Sequence, residues 1–416
     1  MPPPDSLPGQ NATGFPGPAS RDPGAPPAPQ VLLQTPLGSA LVVERIPPEA
    51  RDAWERGLAA CATDHRYYEL TQDTLGNQFQ HRYLLLRDRQ GTLRAVQPFL
   101  IVSQDLVTGV PRPVRRAVQR VRKVFPRFLK LKMIMVGCSA GEGDLAHGAD
   151  GTGLAWTAKA LGDVLPLLGR RFRASLIVFK DFPAKYRTVL DPLTTRGFAR
   201  IPSMPATGLN LDFDSFEGYM AARLSHAMRK NLRRKFRKAM AGAPVVFEAC
   251  NDASAWVNEL VPLYRAVFER SELKFEELNA DYLRELGRRM PDRARFFLWR
   301  LENRVVAFAS CLVHDGVLKD NYIGLDYSVA LDRHLYFLTW RDTITWAIQN
   351  GCHTYHSAPL NYDPKLHFRM HLEPLDLYVR PTYGWLGPVF RRFLPLLEPT
   401  RYDRAIQQFP NKKDLW

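Results

Sequence analysis

The side chains best suited to proton transfer lie in two short stretches late in the chain. Asp320 and Tyr322 belong to the first stretch, and Tyr355 and His356 belong to the second. A carboxylate can accept a proton from an ammonium group directly or through water, and a histidine or tyrosine can share that task. Two of these residues also have a purely structural interpretation. Asp320 could form a salt bridge at a strand edge, and His356 could occupy a core position. The residues alone leave both interpretations open.

The histidines and cysteines do not have the spacing of a metal site. His353 and His356 lie three residues apart on a predicted strand, without carboxylates at ligand spacing nearby. Five cysteines, at positions 61, 138, 250, 311 and 352, are far apart in the sequence. This distribution is typical of small buried residues in a reducing compartment. We therefore predict no metal and a cytoplasmic location.

A predicted hairpin, helix and returning strand position these residues. An apolar run at 305–313 and a partly alternating run at 317–327 flank His314-Asp315-Gly316, and a turn of the Asp-Gly type between two such runs predicts a β-hairpin. A helix is predicted over 332–350, with Asp332 as its N-cap and Gly351 as its stop. A strand over 352–356 and the segment Tyr362-Asp363-Pro364-Lys365 follow. Ligand sites often form where strands end and helices begin, so we expect the chemistry between Asp320, the 328–336 turn and 353–368.

Two basic segments are the other features that suggest a ligand. Residues 111–132 contain nine Arg or Lys and no acidic residue, and the apolar residues among them have helical spacing. Residues 214–241 form a second predicted helix with one cationic side. Lys235 is the exception among its cations, because it projects toward the apolar side. Each cationic side is either the solvated face of a packed helix or a contact surface for phosphate or lipid. The near absence of aromatic residues on the second argues against direct nucleic-acid binding.

Composition and element order predict a mixed α/β protein with two domains. Residues 1–30 hold ten of the 33 prolines and are predicted to be a disordered tail. Strands and helices alternate over 31–206, the N-terminal domain, and over 207–381, the C-terminal domain; 382–416 is a basic tail. A glycine-rich loop at 137–143 lacks the spacing of a phosphate-binding or dinucleotide-binding loop and is predicted to be a flexible turn. The net charge of +15 favours an anionic partner.

The second half resembles the acyltransferases of the GNAT superfamily, and more closely their BioF2-like and FemAB-like branch with two tandem domains. Three features carry the resemblance. The segment L-S-H-A-M-R-K-N-L-R-R-K at 224–235 resembles the family's basic helix. Residues 303–322 resemble its central hairpin, and Y-D-P-K-L-H-F at 362–368 resembles its late Tyr-to-Lys signature. The resemblance implies two tandem GNAT-like N-acyltransferase domains.

The resemblance also implies roles for named residues. Lys365 matches a family lysine that lies near the reacting carbonyl and would donate to the developing oxyanion; the alternative is a surface lysine. Asp320 would take the proton of the amine, with His356 and Tyr322 as further catalytic candidates. The phosphate groups of acyl-CoA would contact Arg229, Lys230, Arg233, Arg333 and His334, and the substrate would contact Tyr336, Tyr355 and Phe368.

Three functions remain open at this level. The first is an N-acyltransferase that moves an acyl group from acyl-CoA to an amine of a small metabolite or envelope precursor, in the cytoplasm or at the inner membrane face. The turn at 328–334 lacks the glycines with which the broad superfamily cradles pyrophosphate, and Asp332 there opposes a phosphate. The second is therefore a FemAB-like transferase of peptidoglycan precursors that takes its aminoacyl group from the acceptor end of a tRNA. The third is a non-catalytic, basic peripheral membrane protein of the same fold.

Overall fold

The computed structural model describes residues 31–105, 112–123, 125–126, 130–147, 153–271, 274–384, 387, 390, 392, 394 and 398–416. The predicted disordered tail at 1–30 and parts of the basic segment at 111–132 lie outside the described residues. No helix in the described ranges is long and apolar enough to cross a bilayer.

The first half of the chain contributes seven strands to the first sheet. They are β1 (Val31–Thr35), β2 (Gly38–Val43), β3 (Gln80–Asp88), β4 (Leu93–Asp105), β5 (Lys130–Val136), β6 (Leu176–Pro183) and β7 (Ala199–Pro202). Neighbouring strands from β1 to β5 are antiparallel, whereas β5 and β6 are parallel. The helices of this half are α1 (Arg51–Gly57), α2 (His65–Leu75), α3 (Arg112–Arg122), α4 (Leu154–Arg171) and α5 (Arg187–Leu190). Continuous apolar runs such as residues 133–136 explain why the central strands are buried on both faces.

The second sheet consists of seven strands in the order β14-β8-β13-β12-β11-β10-β9. They are β8 (Ala206–Asn210), β9 (Val245–Cys250), β10 (Ala294–Leu301), β11 (Arg304–His314), β12 (Val317–Leu325), β13 (Thr354–Ser357) and β14 (His371–Glu373). The helices of this half are α6 (Phe216–Arg223), α7 (His226–Ala239), α8 (Val257–Arg270), α9 (Ala280–Arg289), α10 (Tyr327–Ala330), α11 (Leu335–Gln349) and α12 (Tyr362–His367). The prediction of a mixed α/β fold is confirmed.

The predicted hairpin is present, and it contains a bulge that the apolar pattern does not show. Ser310 pairs with Tyr322 and Cys311 pairs with Asp320, so Asn321 is an extra residue in β12. One extra residue reverses the alternation of side chains along a strand. Asp320 and Tyr322 therefore point to opposite faces of the sheet, although they are two residues apart.

The neighbouring strands β12 and β13 separate just beyond Asp320. They pair in parallel over only four residues, Val317–Asp320 with Thr354–Ser357, and the N–H of Ala358 donates to the Asp320 carbonyl at 3.0 Å. The chain then turns through left-handed backbone at Leu360 (φ 80°) and Asn361 (φ 52°) into α12, while β12 continues to Leu325. Residues 321–325 and 358–361 thus form the two sides of a gap in the sheet, which we call the opening.

A last strand, β15 (Leu375–Pro381), returns to the first sheet and inserts between β6 and β7. The sequence analysis assigned these residues to the C-terminal domain. Their apolar alternation fits a strand in either sheet, and the antiparallel pairing with β6 and β7 is long-range information that the pattern lacks. The basic tail follows β15, and three of its apolar residues, Ile406, Phe409 and Leu415, pack against Tyr362 and Leu372.

Candidate active site

Lys365 is buried at the edge of the opening. It lies on α12, only 5% of its surface is exposed, and its Nζ donates a hydrogen bond to the carbonyl of Ala358. The ring centroid of Tyr362 is 5.7 Å from the same Nζ. Burial lowers the pKa of Lys365 to about 7, and the charge of Asp320 opposes this shift only in part. A lysine with such a pKa can exchange a proton near neutral pH. The burial of Lys365 does not fit the alternative interpretation, in which it is a surface lysine.

Asp320 lies on the same face of the sheet as Lys365. Its Oδ2 accepts a hydrogen bond of 2.7 Å from the Tyr355 hydroxyl, and the Cys311 Sγ lies 3.7 Å from its Oδ1. Burial raises the pKa of Asp320, although the hydrogen bond from Tyr355 and the charge of Lys365 oppose the shift. The strand-edge salt bridge considered above is absent among the described residues, since a phenol and a thiol contact this carboxyl instead. A carboxyl whose pKa is raised in this way is suited to accept a proton.

Two of the three predicted substrate residues surround this pair. Tyr355 contacts Asp320 directly, and the Tyr336 hydroxyl shares a hydrogen bond with the side chain of Asn361 in the turn before α12. Phe368 lies elsewhere, because its ring is stacked on Trp340 with centroids 3.6 Å apart and is buried. The structure therefore brings together Lys365, Asp320, Tyr355 and Tyr336, and places Phe368 in the core beside them.

His356 lies on the opposite face of the sheet, toward the first sheet. Its Nε2 is 2.7 Å from Oε1 of Glu142, and its Nδ1 donates to Glu373. Although burial opposes the charged form, these two carboxylates raise the pKa of His356 to about 9. A histidine that is already protonated at neutral pH cannot serve as a general base there, and the core interpretation describes it better.

Tyr322 also points away from Asp320, because of the bulge at Asn321. Its hydroxyl donates to Oε1 of Glu276 at 2.7 Å, and its ring packs edge-on against Tyr264 and Tyr282. The structure therefore does not bring Tyr322 or His356 to the Lys365 side of the sheet. The bulge, which no local signal marks, is the reason for Tyr322, whereas His356 lies on the other face because it alternates with Tyr355 along β13.

The cationic residues predicted to hold phosphate have mostly structural partners. Arg333 donates to the carbonyls of Ala239, Ala241 and Ala243 at the end of α7, Arg229 donates to those of Ala221 and Leu224, and Arg233 pairs with Glu217. Lys230 is exposed on α7. The fifth, His334, lies at the N-terminus of α11.

The N-cap of α11 is His334 in a left-handed conformation (φ 46°), and the prediction that Asp332 would cap this helix was wrong. Residues 327–330 form the separate helix α10, capped by Asp326, so the chain turns again before α11 begins. Burial lowers the pKa of His334, and so do the charges of Lys238, Lys235 and Arg234. These three cations, which sequence reasoning did not single out for this role, make the start of α11 electropositive. Free N–H groups in a first helical turn add to that effect.

Lys235 has the partner that its position on the apolar side requires. Its Nζ lies 3.2 Å from the ring centroid of Phe337 on α11, a cation–π contact. Burial lowers the pKa of Lys235, with a further contribution from Arg234. The contact joins α7 to α11 beside the electropositive helix start.

The loop at 137–143 is held in place, which corrects its prediction as a flexible turn. The N–H of Gly143 donates to the Asp181 carbonyl at 3.0 Å, Lys180 Nζ donates to the Gly141 carbonyl at 3.2 Å, and the Tyr67 hydroxyl donates to the Ala140 carbonyl at 2.7 Å. The loop carries Glu142 into contact with His356. Sequence reasoning missed both Glu142 and Glu373, because neither belongs to a recognisable motif.

The same loop has the Gly-x-Ser-x-Gly spacing of a hydrolase nucleophile at 137–141. Ser139 Oγ lies 3.1 Å from Nε2 of His81, but both residues are buried. His81 Nδ1 has no hydrogen-bond partner among the described residues, and burial lowers the pKa of His81 to about 4. A nucleophile elbow needs an exposed serine, a following helix and a third group that orients the histidine. Without solvent access or an orienting acid, this pair is a core contact.

Part of this chain matches a known protein family, and several solved structures superpose on it. The acetyltransferase (GNAT) domain family matches residues 226–365, which extend from the start of α7 to Lys365. Among solved structures, FemX superposes with a TM-score of 0.50 at 10% identity and covers 84% of this chain and 98% of its own. L-PGS from Bacillus licheniformis gives a TM-score of 0.45 at 12% identity, covering 81% and 97%. A tandem GNAT protein from the clavulanic acid biosynthesis pathway gives 0.47 at 9%, covering 85% and 98%. No curated protein matches.

Proposed function

We propose that this acyltransferase, whose residues 226–365 match a GNAT domain, moves an acyl group from acyl-CoA to the amine of a small metabolite or envelope precursor. One observation carries the proposal. The buried Lys365, with its pKa near 7, lies at the edge of the opening between β12 and β13 and on the same face as Asp320. That arrangement supplies an oxyanion donor and a proton acceptor at one gap.

The geometry supports a direct transfer in which each residue has one task. The thioester arm of the donor enters the opening, and the amine attacks its carbonyl carbon. Lys365 Nζ donates to the oxyanion that develops, and Asp320 takes the proton from the attacking nitrogen. The C–S bond then breaks, the thiolate leaves and is protonated, and the amide remains. Tyr355 orients the Asp320 carboxylate through its hydrogen bond.

The start of α11 fits the phosphate groups of the donor. A helix N-terminus favours anions, and Lys235, Lys238 and Arg234 add positive charge around His334. Arg333 instead stabilises the end of α7, so we assign it a supporting role. The exposed Asp332 reduces the net attraction but does not close the surface.

An aminoacyl-tRNA donor is the second candidate, and the basic face of α7 favours it. The side chains of Lys230, Arg237 and Lys238 are exposed and make no hydrogen bond or ion pair among the described residues. Three such cations on one helix exceed what a single pyrophosphate requires, and they fit the backbone near a tRNA acceptor end. The non-catalytic alternative is disfavoured, since a protein without turnover has no need to bury a lysine at a cost in stability.

Titration calorimetry with acetyl-CoA, longer acyl-CoAs and aminoacyl-tRNA separates these candidates. We expect acyl-CoA to bind and to be consumed when amines are supplied, with loss of turnover in Lys365→Met. Binding and turnover with aminoacyl-tRNA alone would establish the second candidate. If neither donor binds, the transferase proposal fails.

We also propose that α3 contacts an anionic membrane surface, where an envelope precursor would be found. Arg116 and Arg120 on α3 are exposed, and so are Val121 (39%) and, just beyond the helix, Phe125 (64%). Exposed cations next to exposed apolar side chains are the pattern of an interfacial helix. Arg116→Glu with Arg120→Glu should abolish binding to phosphatidylglycerol vesicles. Unchanged binding would remove this role.

A further inference from the structure

One carboxylate from the first half of the chain joins the two strands that border the opening. Glu142 Oε2 lies 2.6 Å from Nζ of Lys319 on β12, and its Oε1 lies 2.7 Å from Nε2 of His356 on β13. Lys319 and His356 are direct partners in the β12–β13 register. We call this three-residue contact the Glu142 bridge. A single side chain thus spans the two strands from outside their own sheet.

The Glu142 bridge lies close to the point at which β12 and β13 separate. The next register pair is Asp320 with Ser357, and after that pair the strands separate. Ala358, whose carbonyl accepts from Lys365, is two residues beyond His356. The bridge therefore holds β12 and β13 together with only one register pair between it and the opening.

The loop that carries Glu142 is built to a fixed shape. A Cβ on Gly143 would lie 2.5 Å from the Lys180 carbonyl oxygen and 2.5 Å from the Phe182 ring, so only glycine fits there. Gly137 has a φ of +127°, a region that favours glycine. Together with the three hydrogen bonds described above, these glycines leave Glu142 little freedom to move. The first sheet thus presents the carboxylate as a rigid group.

We propose that Glu142 is a positioning residue, which sets the width of the opening by bridging Lys319 and His356 and so fixes Lys365 and Asp320 relative to the donor carbonyl. The inference rests on the proposed transferase function, and it assigns the first half of the chain a part in catalysis. It also accounts for a charged cluster that the reaction itself does not use.

The charges around the bridge give Glu142 a second, electrostatic influence on Asp320, which the test has to separate from positioning. His356 faces Glu142 from the loop and Glu373 from β14, and Lys319 and His371 flank these carboxylates. The positive charge of His356 in turn lowers the pKa of Asp320, against the larger effect of burial. Removal of the Glu142 charge should therefore lower the pKa of His356 and raise that of Asp320.

The test compares Glu142→Gln with Glu373→Gln in the full-length protein. Both variants remove one carboxylate from His356, but only the first removes the link to Lys319. We expect Glu142→Gln to lower kcat/KM for acyl-CoA by about 10- to 100-fold, the effect of a misplacement of about 1 Å. We expect Glu373→Gln to lower it by less than about threefold. Titration of His356 by NMR should show a lower pKa in both variants.

Further readouts separate positioning from a general loss of structure. Lys319→Met breaks the bridge from the other side and should reproduce the loss in kcat/KM, which covers the case in which Glu142→Gln does not fold. Equal losses in Glu142→Gln and Glu373→Gln would overturn the proposal, because the charge of His356 rather than the bridge would then matter. A loss in kcat/KM that only follows the fraction of folded protein would also overturn it. If the wild type consumes no acyl donor, the proposed function fails instead, and that result is distinct because it precedes any variant.

Discussion

At the scale of single residues, the site depends on how burial changes two ionisable groups. Lys365 and Asp320 share one face of the second sheet, and burial disfavours the charged form of both. Burial thus raises the pKa of Asp320 and lowers that of Lys365, which brings the proton affinities of the two groups closer together. His356 is the opposite case, since two carboxylates keep it charged.

Lys365→Met should abolish turnover without loss of stability. The unfolded lysine keeps its ordinary pKa near 10.5, so between pH 7 and that value the unfolded chain binds more protons than the folded one. The lysine therefore destabilises the fold below about pH 7, and this effect fades as the pH rises. We expect at least a 100-fold fall in kcat, the scale of a lost oxyanion donor, and a melting temperature at pH 6 that is unchanged or higher.

The matched control for this variant is Lys159→Met, which replaces an exposed lysine on α4. It should change neither kcat nor the melting temperature. Wild-type turnover in Lys365→Met would withdraw the role of Lys365.

Tyr355→Phe should shift the acid limb of the pH dependence of kcat/KM to higher pH. The Tyr355 hydroxyl stabilises the ionised Asp320, so its removal raises the pKa of Asp320 further. Tyr378→Phe, which removes a similar hydrogen bond from a strand of the first sheet to Asp191, is the control and should leave the profile unchanged. An acid limb that stays in place in Tyr355→Phe would show that Asp320 is not the proton acceptor.

At the scale of elements, a bulge and a clamped loop decide which side chains meet. The extra residue in β12 sends Asp320 and Tyr322 to opposite faces. The loop at 137–143 brings the Glu142 carboxylate to the face of the second sheet opposite Asp320. Both features change the contacts of a strand without changing its apolar pattern.

Gly143→Ala should destabilise the protein and reduce turnover together. The new methyl group would overlap the Lys180 carbonyl and the Phe182 ring, and overpacking of this kind costs about 1–3 kcal/mol. Because the loop must shift, Glu142 should also lose contact with His356. Gly218→Ala on α6, where a Cβ meets only Ser215 Oγ at 3.4 Å, is the control and should be neutral or stabilising. Chemical denaturation measures the stability of the two variants. Equal stability would contradict the conclusion that the loop at 137–143 is held in a fixed shape.

The charged cluster should give the protein a characteristic pH dependence of stability. The folded pKa of His356 is about 9 and thus above its ordinary value of 6.5, so its contribution is complete below pH 6.5 and is lost as the pH rises through 9. We expect the melting temperature to fall across that interval, and the fall to be smaller in His356→Gln. An identical pH dependence in the two proteins would mean that His356 is not charged in the folded state.

At the scale of the whole molecule, the two sheets depend on each other through the last strand. β15 follows the second sheet in sequence but lies between β6 and β7 of the first. Asp376 on β15 is buried and pairs with Arg187 and Arg200 of the first half. The chain therefore has to complete its second half before the first sheet is whole.

A chain that ends at residue 374 should fail to fold, whereas one that ends at residue 384 should keep both sheets. The two differ by β15 and three following residues, and without β15 the strand β7 loses its neighbour. Circular dichroism and the number of unfolding transitions measure this difference. Two chains of equal stability would show that the first sheet is complete without β15.

The local pattern of the sequence determined most of the elements of the second half and the family to which its motifs point. The Asp-Gly turn predicted the hairpin, Gly351 (φ 72°) ends α11 as expected, and the resemblance of the second half to a GNAT domain was confirmed. These features depend on residues that are close in sequence, where turn chemistry and periodicity act. Lys365 was found in the same way, through a short motif.

Only the tertiary structure decided which of these residues meet. Glu142 is 177 residues from Lys319 along the chain, so no local pattern could pair them. The bulge at Asn321, the cap at His334 and the return of β15 to the first sheet likewise depend on packing between distant segments. Charge and burial act through space, and the shifted pKa values of Lys365, Asp320 and His356 therefore arise only in the folded chain.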